Sequence, residues 1–330
     1  MKDINQGEAE NLLNECPNSV DSACTLAYAE SQLRREKNSQ LILEKFLEKY
    51  SDKLNDVEKA KVYTNLAFYY NDEGNIKEYE YLSAAVKLNS LYIETYRGLA
   101  LYHFSSYADK GSVEELKRSL LTYEKGRSIS DNYEMNFGYA VCLFELKEYE
   151  KAKTIFLQLL KNYPNRMRLL LCIAYCDVYL GNKIQSLDYL KKIKIGGDPA
   201  YQRDDEIWEF DIFNAYYALD EYKLFLEECE KAKSTCDLNY DPYYFGLWIM
   251  KQHDQFYLEV DKQRMEILAC IEDVKIDDDF VSEEERQEHL QCWEDDLEAL
   301  STVVHKIKYE NYKPVVELKL WPIYDCYLID

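Results

Sequence analysis

Residues 136–164 read NFGYAVCLFELKEYEKAKTIFLQLLKNYP. The first half sets Tyr139, Ala140 and Leu143 at helical spacing, and the second sets Ala152, Phe156 and Leu159 three or four residues apart. Between them Lys147 and Glu148 form a short polar turn. Pro164 stops the second helix, because it has no N–H to give to the helical ladder. Two helices joined by so short a turn must lie antiparallel. Small side chains at Ala140 and Ala152 let their backbones approach, and Phe156 and Leu159 are left to fill space against a neighbouring pair.

The same classes of residue return at one offset. Ala140, Ala152, Phe156 and Leu159 recur 34 positions later as Ala174, Ser186, Leu190 and Ile193, with Gly181 at the turn. A fixed period in this range marks a solenoid, in which each helical hairpin buries its face against its neighbours. Upstream, Ser119, Tyr123 and Gly126 precede Ala152, Phe156 and Leu159 by 33 positions. Ala100 precedes Ala140 by 40, which predicts a lengthened inter-helix loop around 106–111, with Ser112 and Glu115 as a capping box after it. A further unit spans 63–89, with Leu66, Ala67, Tyr70, Gly74 and Ala85. Another spans 23–51, where Ala27 and Ser39 keep the gap of 12 between small positions. A degenerate unit covers 207–233, with Tyr216, Tyr222 and Ala232. There Phe225 takes the small position, so packing must be looser or shifted.

The pattern resembles the tetratricopeptide repeat family in Gly138-Tyr139-Ala140, Tyr149, Ala152, Phe156 and Pro164, and again in Ala174, Gly181 and Ser186. The resemblance covers roughly 23–233, and the family's usual tryptophan is absent from the first helices. It implies an all-α, right-handed α-solenoid of antiparallel hairpins that serves as a non-enzymatic scaffold for a peptide or protein partner. It also implies that the first helix of each hairpin lines a concave groove. Counting along those helices gives Tyr28, Phe68, Arg97, Leu101, Phe104, Phe144, Tyr175, Tyr179 and Tyr217 as the partner-binding candidates. The set is mostly apolar and aromatic, unlike a Lys/Asn-rich carboxylate clamp, and Arg97 alone could serve a carboxylate. Such a stripe suits an apolar peptide or helix docking along it. Two other readings stay open: the side chains pack tightly together, or the chain's own residues 315–328 lie in the groove.

The ends differ from the middle. Residues 7–16 suit a short opening helix, and the repeats fill 1–235. Residues 236–310 read as further helices, either degenerate repeats or a cap. Asp241-Pro242 starts one helix, a second covers 256–274, and a third opens at Ser282 and Glu285 and runs to about 306 with Leu290, Trp293, Leu297 and Leu300 on one face. Residues 311–330 form a tail in which Val316, Leu318 and Leu320 alternate with Glu317 and Lys319 before Trp321-Pro322. That is strand-like, with no sheet to join.

Composition bounds the partners. The 330 residues carry a net charge of −22, with only 10 glycines and 6 prolines and as many as 31 tyrosines. The charge argues against a nucleic acid or an anionic membrane as partner and favours a basic protein. It also supports a second reading, an acidic inhibitor, immunity or anti-defence protein that blocks a toxin or nuclease. None of the 10 cysteines forms a CxxC pair. Cys172 and Cys176 share an apolar helical face and read as small buried thiols. With no apolar leader at the start, reduced thiols predict a cytoplasmic location. The apolar run at 169–175 is too short to span a bilayer. His103, His253, His289 and His305 fall in no zinc-binding spacing, Gly196-Gly197 is a connector, and Asp277-Asp278-Asp279 lacks the glycine and alternate spacing of a calcium loop. No catalytic residue, metal or cofactor is expected.

Overall fold

The computed structural model describes residues 6–71, 76–197, 205–233, 239–277, 280 and 282–322. Gly74, Asp278, Asp279 and residues 323–330 of the tail, referred to above, lie outside these residues. Among the described residues every regular element is a helix and none is a strand. In chain order these are α1 (Gln6–Glu15), α2 (Val20–Gln32), α3 (Glu36–Tyr50), α4 (Asp56–Tyr69), α5 (Ile76–Lys87), α6 (Ile93–Lys110), α7 (Val113–Ile129), α8 (Tyr133–Glu145) and α9 (Tyr149–Asn162). There follow α10 (Met167–Tyr179), α11 (Lys183–Leu190), α12 (Glu209–Ala218), α13 (Tyr222–Ala232), α14 (Tyr240–Ile249), α15 (His253–Ile276) and α16 (Glu283–Tyr309).

The chain divides into two compact units, Met1–Asn165 with Leu320–Asp330, and Arg166–Lys319. In the first unit α2–α3, α4–α5, α6–α7 and α8–α9 are antiparallel hairpins, and the first helices pack in succession, α2 on α4, α4 on α6 and α6 on α8. In the second, α10–α11 and α12–α13 pair in the same way, α10 packs on α12, and α14, α15 and α16 pack together. Local chemistry sets the helix starts. Asn55 and Glu58 close a reciprocal capping box on α4, while Asn132 accepts from the Met135 N–H at α8 and Ser282 from the Glu285 N–H at α16. The turns after α8, α10 and α12 carry positive φ at Lys147 (65°), Gly181 (74°) and Asp220 (58°).

The small positions found in the sequence form the hairpin seams. Ser39 Oγ donates to the Ala27 carbonyl (2.6 Å), Ser119 Oγ to Ala100 (2.7 Å) and Ser186 Oγ to Ala174 (2.9 Å). All three serines are fully buried. A buried hydroxyl needs an acceptor, and a carbonyl lies within reach because alanine keeps the partner helix close.

Two local expectations are corrected. The extra residues before Gly111 are not a loop: α6 runs unbroken from Ile93 to Lys110, and Gly111 ends it in the left-handed conformation (φ 67°). Nothing between Ser105 and Lys110 is a helix breaker. The cap of α7 is one-sided. Ser112 accepts from the Glu115 N–H (3.4 Å), but the Glu115 carboxylate turns to His103 Nδ1 (2.6 Å) and Arg118 (2.8 Å).

Phe225 shows how a bulky residue fits a small position. Its ring lies 5.1 Å from that of Tyr217 and 6.0 Å from that of Phe213. The space comes from Gly246 on α14, where a Cβ would sit 3.1 Å from the ring. The missing volume has moved to the next helix.

Candidate functional site

The candidate residues are first placed unit by unit. In the first unit Tyr28 and Phe68 are half-buried against the apolar core of α2–α4. Arg97 is buried and its Nε lies 2.7 Å from Glu94 Oε2, one turn away on the same helix. Leu101, Phe104 and Phe144 are buried. Phe104 meets the edge of Trp321 with ring centres 5.8 Å apart, and Glu145 Oε1 accepts from the Leu320 N–H (2.9 Å). Residues 320 and 321 thus lie against Phe104 within α6 and the last residue of α8.

In the second unit Tyr175 is buried and its hydroxyl donates to the Asp211 carbonyl (2.8 Å). Tyr179, at the end of α10, is 40% exposed, whereas Tyr217, near the end of α12, is 1% exposed. These two tyrosines are brought together on residues 313–318, which run extended. The Tyr179 hydroxyl accepts from the Leu318 N–H (3.0 Å) and lies 3.3 Å from the Leu318 carbonyl, to which it donates. The Tyr217 hydroxyl donates to the Pro314 carbonyl (2.8 Å). The period of two is plain in the burial: Pro314 and Leu318 face inward, Val316 is half-buried, and Val315, Glu317 and Lys319 face outward.

A cation site completes this corner. Lys313 Nζ lies 5.3 Å from the Tyr217 ring centre and 5.7 Å from that of Tyr222, and it pairs with Asp220 Oδ1. The Tyr222 hydroxyl donates to the same carboxylate oxygen. Burial pushes the Tyr217 and Tyr222 hydroxyls well above the usual tyrosine range, so both stay protonated donors at neutral pH. Burial also works against ionisation of Asp220, but the hydrogen bonds from Lys313 and Tyr222 outweigh it and hold the carboxyl below its ordinary value. The result is an ammonium group beside two aromatic rings and paired with one carboxylate.

Asp220, Tyr222 and Glu145 escaped the count along the first helices. Asp220 and Tyr222 sit in the turn and at the start of the second helix. Glu145 was within reach of the period, for it stands 34 positions before Tyr179. Each of the two takes the N–H of an inward residue of the 311–322 segment, Leu320 and Leu318, within its own unit.

Among the described residues no cluster of three His, Cys, Asp or Glu is arranged to hold a metal, and no helix is long and apolar enough to cross a membrane. Burial pushes the Cys24 and Cys142 thiols up to about 12.

Comparison with known proteins adds the following. Residues 135–166 match the family model described as tetratricopeptide repeat. No curated protein matches the chain in sequence. Among solved structures, YrrB, described as a TPR protein with an unusual peptide-binding site, is similar over 56% of this chain and 89% of its own, at 16% identity and a TM-score of 0.43.

Proposed function

We propose that this tetratricopeptide-repeat protein is a scaffold that binds a peptide segment of a partner protein along the first helices of its hairpins. One observation carries the reading. Tyr179 and Tyr217 address the main chain of an extended segment, at Leu318 and Pro314, rather than packing only among themselves. Hydrogen bonds to a peptide's backbone, with alternate side chains inward, are how surfaces recognise extended chains. Two features support a partner with positive charge: the net charge of −22, and the seat beside Tyr217, Tyr222 and Asp220 in which the Lys313 ammonium lies.

A photo-crosslinking residue in place of Tyr179 tests the reading. The expected product is a covalent adduct to a separate protein. With that protein purified, Tyr179→Ala should then weaken binding about tenfold, the usual scale for one well-placed interface tyrosine. Adducts confined to residues 314–320 of the same chain would end the proposal for this surface. The rival reading, an acidic blocker of a toxin or nuclease, predicts a complex that dissociates as salt is raised and is indifferent to Tyr179.

A further inference from the structure

The α10, α12 and α13 ends in the second unit carry more than a packing contact, and their chemistry is specific. A fully buried tyrosine hydroxyl on Tyr217 finds its acceptor in a carbonyl of the 313–318 segment, not in the helices. A lysine ammonium is held by two ring faces and a carboxylate. An exposed tyrosine hydroxyl brackets both peptide groups of one residue. These contacts address one side-chain charge and the main chain at two points, 314 and 318, so the surface reads the segment's chemistry and direction as well as its apolar area.

We propose that residues 313–318 are an internal ligand, and that the site they fill recognises a partner segment of the form Lys-Pro-x-x-x-Leu in extended conformation. This deepens the scaffold reading and rests on it. The lysine is read by Asp220, Tyr217 and Tyr222. The proline presents a carbonyl to Tyr217 without a competing N–H of its own. The leucine enters beside Tyr179, which takes its N–H and C=O. The positions marked x correspond to Val315, Val316 and Glu317, of which Val315 and Glu317 face outward and are free to vary. The covalent link gives the internal copy a high effective concentration, so a partner must carry the same pattern to compete.

The test keeps the full chain. A protease site inserted after Glu310 is cut in the folded protein, and a fluorescent synthetic peptide of the sequence NYKPVVELKLWP is added. The expected result is exchange. The labelled peptide binds the cut protein at least tenfold more tightly than the uncut protein, a shift set by removal of the tether. Replacing the peptide's first lysine and its first leucine, the equivalents of Lys313 and Leu318, by alanine should lower its affinity at least tenfold. In a second measurement, full-length protein with Lys313→Ala and Leu318→Ala should bind the peptide more tightly than wild type, with its circular dichroism unchanged. Two outcomes overturn the proposal: cut protein that unfolds or holds its segment without exchange, or equal affinity for the parent peptide and the alanine-substituted one. If either occurs while position 179 still crosslinks a foreign protein that Tyr179→Ala weakens, the pattern fails and the scaffold reading stands.

Discussion

Hairpins α10–α11 and α12–α13 are neighbours in one unit and close by opposite means. In α10–α11 the helices meet at Ala174 and Ser186, and the serine hydroxyl bonds the alanine carbonyl at 2.9 Å. In α12–α13 the equivalent place holds Phe225, whose ring stacks edge-on against Tyr217 and Phe213 and leans into the gap at Gly246. The first seam is small, polar and self-contained. The second is large, apolar and shared with the next helix. A repeat position is therefore a volume, and a neighbour can supply it. The second arrangement also has a functional result: it fixes Tyr217, the residue that meets the 313–318 segment.

Substitutions can break this comparison. The largest effect is expected for Phe225→Ala, which empties a ring-sized space among Tyr217, Phe213 and Gly246. Urea unfolding should show a loss of ~3–5 kcal/mol. A loss no greater than that of Ser186→Ala would remove the distinction between the seams. Next comes Gly246→Ala, whose new methyl would lie 3.1 Å from Phe225 and 3.2 Å from Leu226. It should cost ~1–3 kcal/mol by the same measurement, and a neutral result would mean that Phe225 has room to spare. Ser186→Ala opens no cavity and removes one buried hydrogen bond, so ~1 kcal/mol is expected.

The smallest effect belongs to the Lys313–Asp220 pair, whose side chains are 40% and 61% exposed. A double-mutant cycle to alanine should give a coupling below ~1 kcal/mol that shrinks with salt. Asp220 sits below its ordinary 3.8, so the contribution is fully present above that value and is lost only as the pH falls through the lowered one. Cycles at pH 7 and pH 5 should therefore agree, and a coupling that halves by pH 5 would contradict the assignment.

What could be read in advance follows from how local the signal is. The run from Ala140 to Ile193 is legible because small and bulky positions three, four and twelve apart report directly on helix faces. The insertion before Gly111 misleads when only offsets are counted. The residues themselves hold no breaker until the glycine, and helix continues. The link between Phe225 and Gly246 is hidden because the compensating residue lies in α14, beyond the point where the period lapses. The alternation of Val316, Leu318 and Leu320 is visible, and so is a surface of tyrosines. The pairing of Lys313 with Asp220 is not, since 93 residues separate two common surface charges. Arg97, which suggested a carboxylate partner, is instead neutralised by Glu94 on its own helix.

The buried thiols carry a chemical consequence of their own. Burial raises the Cys24 and Cys142 thiols to about 12 and so disfavours their thiolates at neutral pH, and the thiolate is the form that oxidants attack. Cys16 and Cys292 are exposed. Among the described cysteines, peroxide or oxidised glutathione will therefore mark the exposed Cys16 and Cys292 ahead of Cys24 and Cys142 in the helix seams.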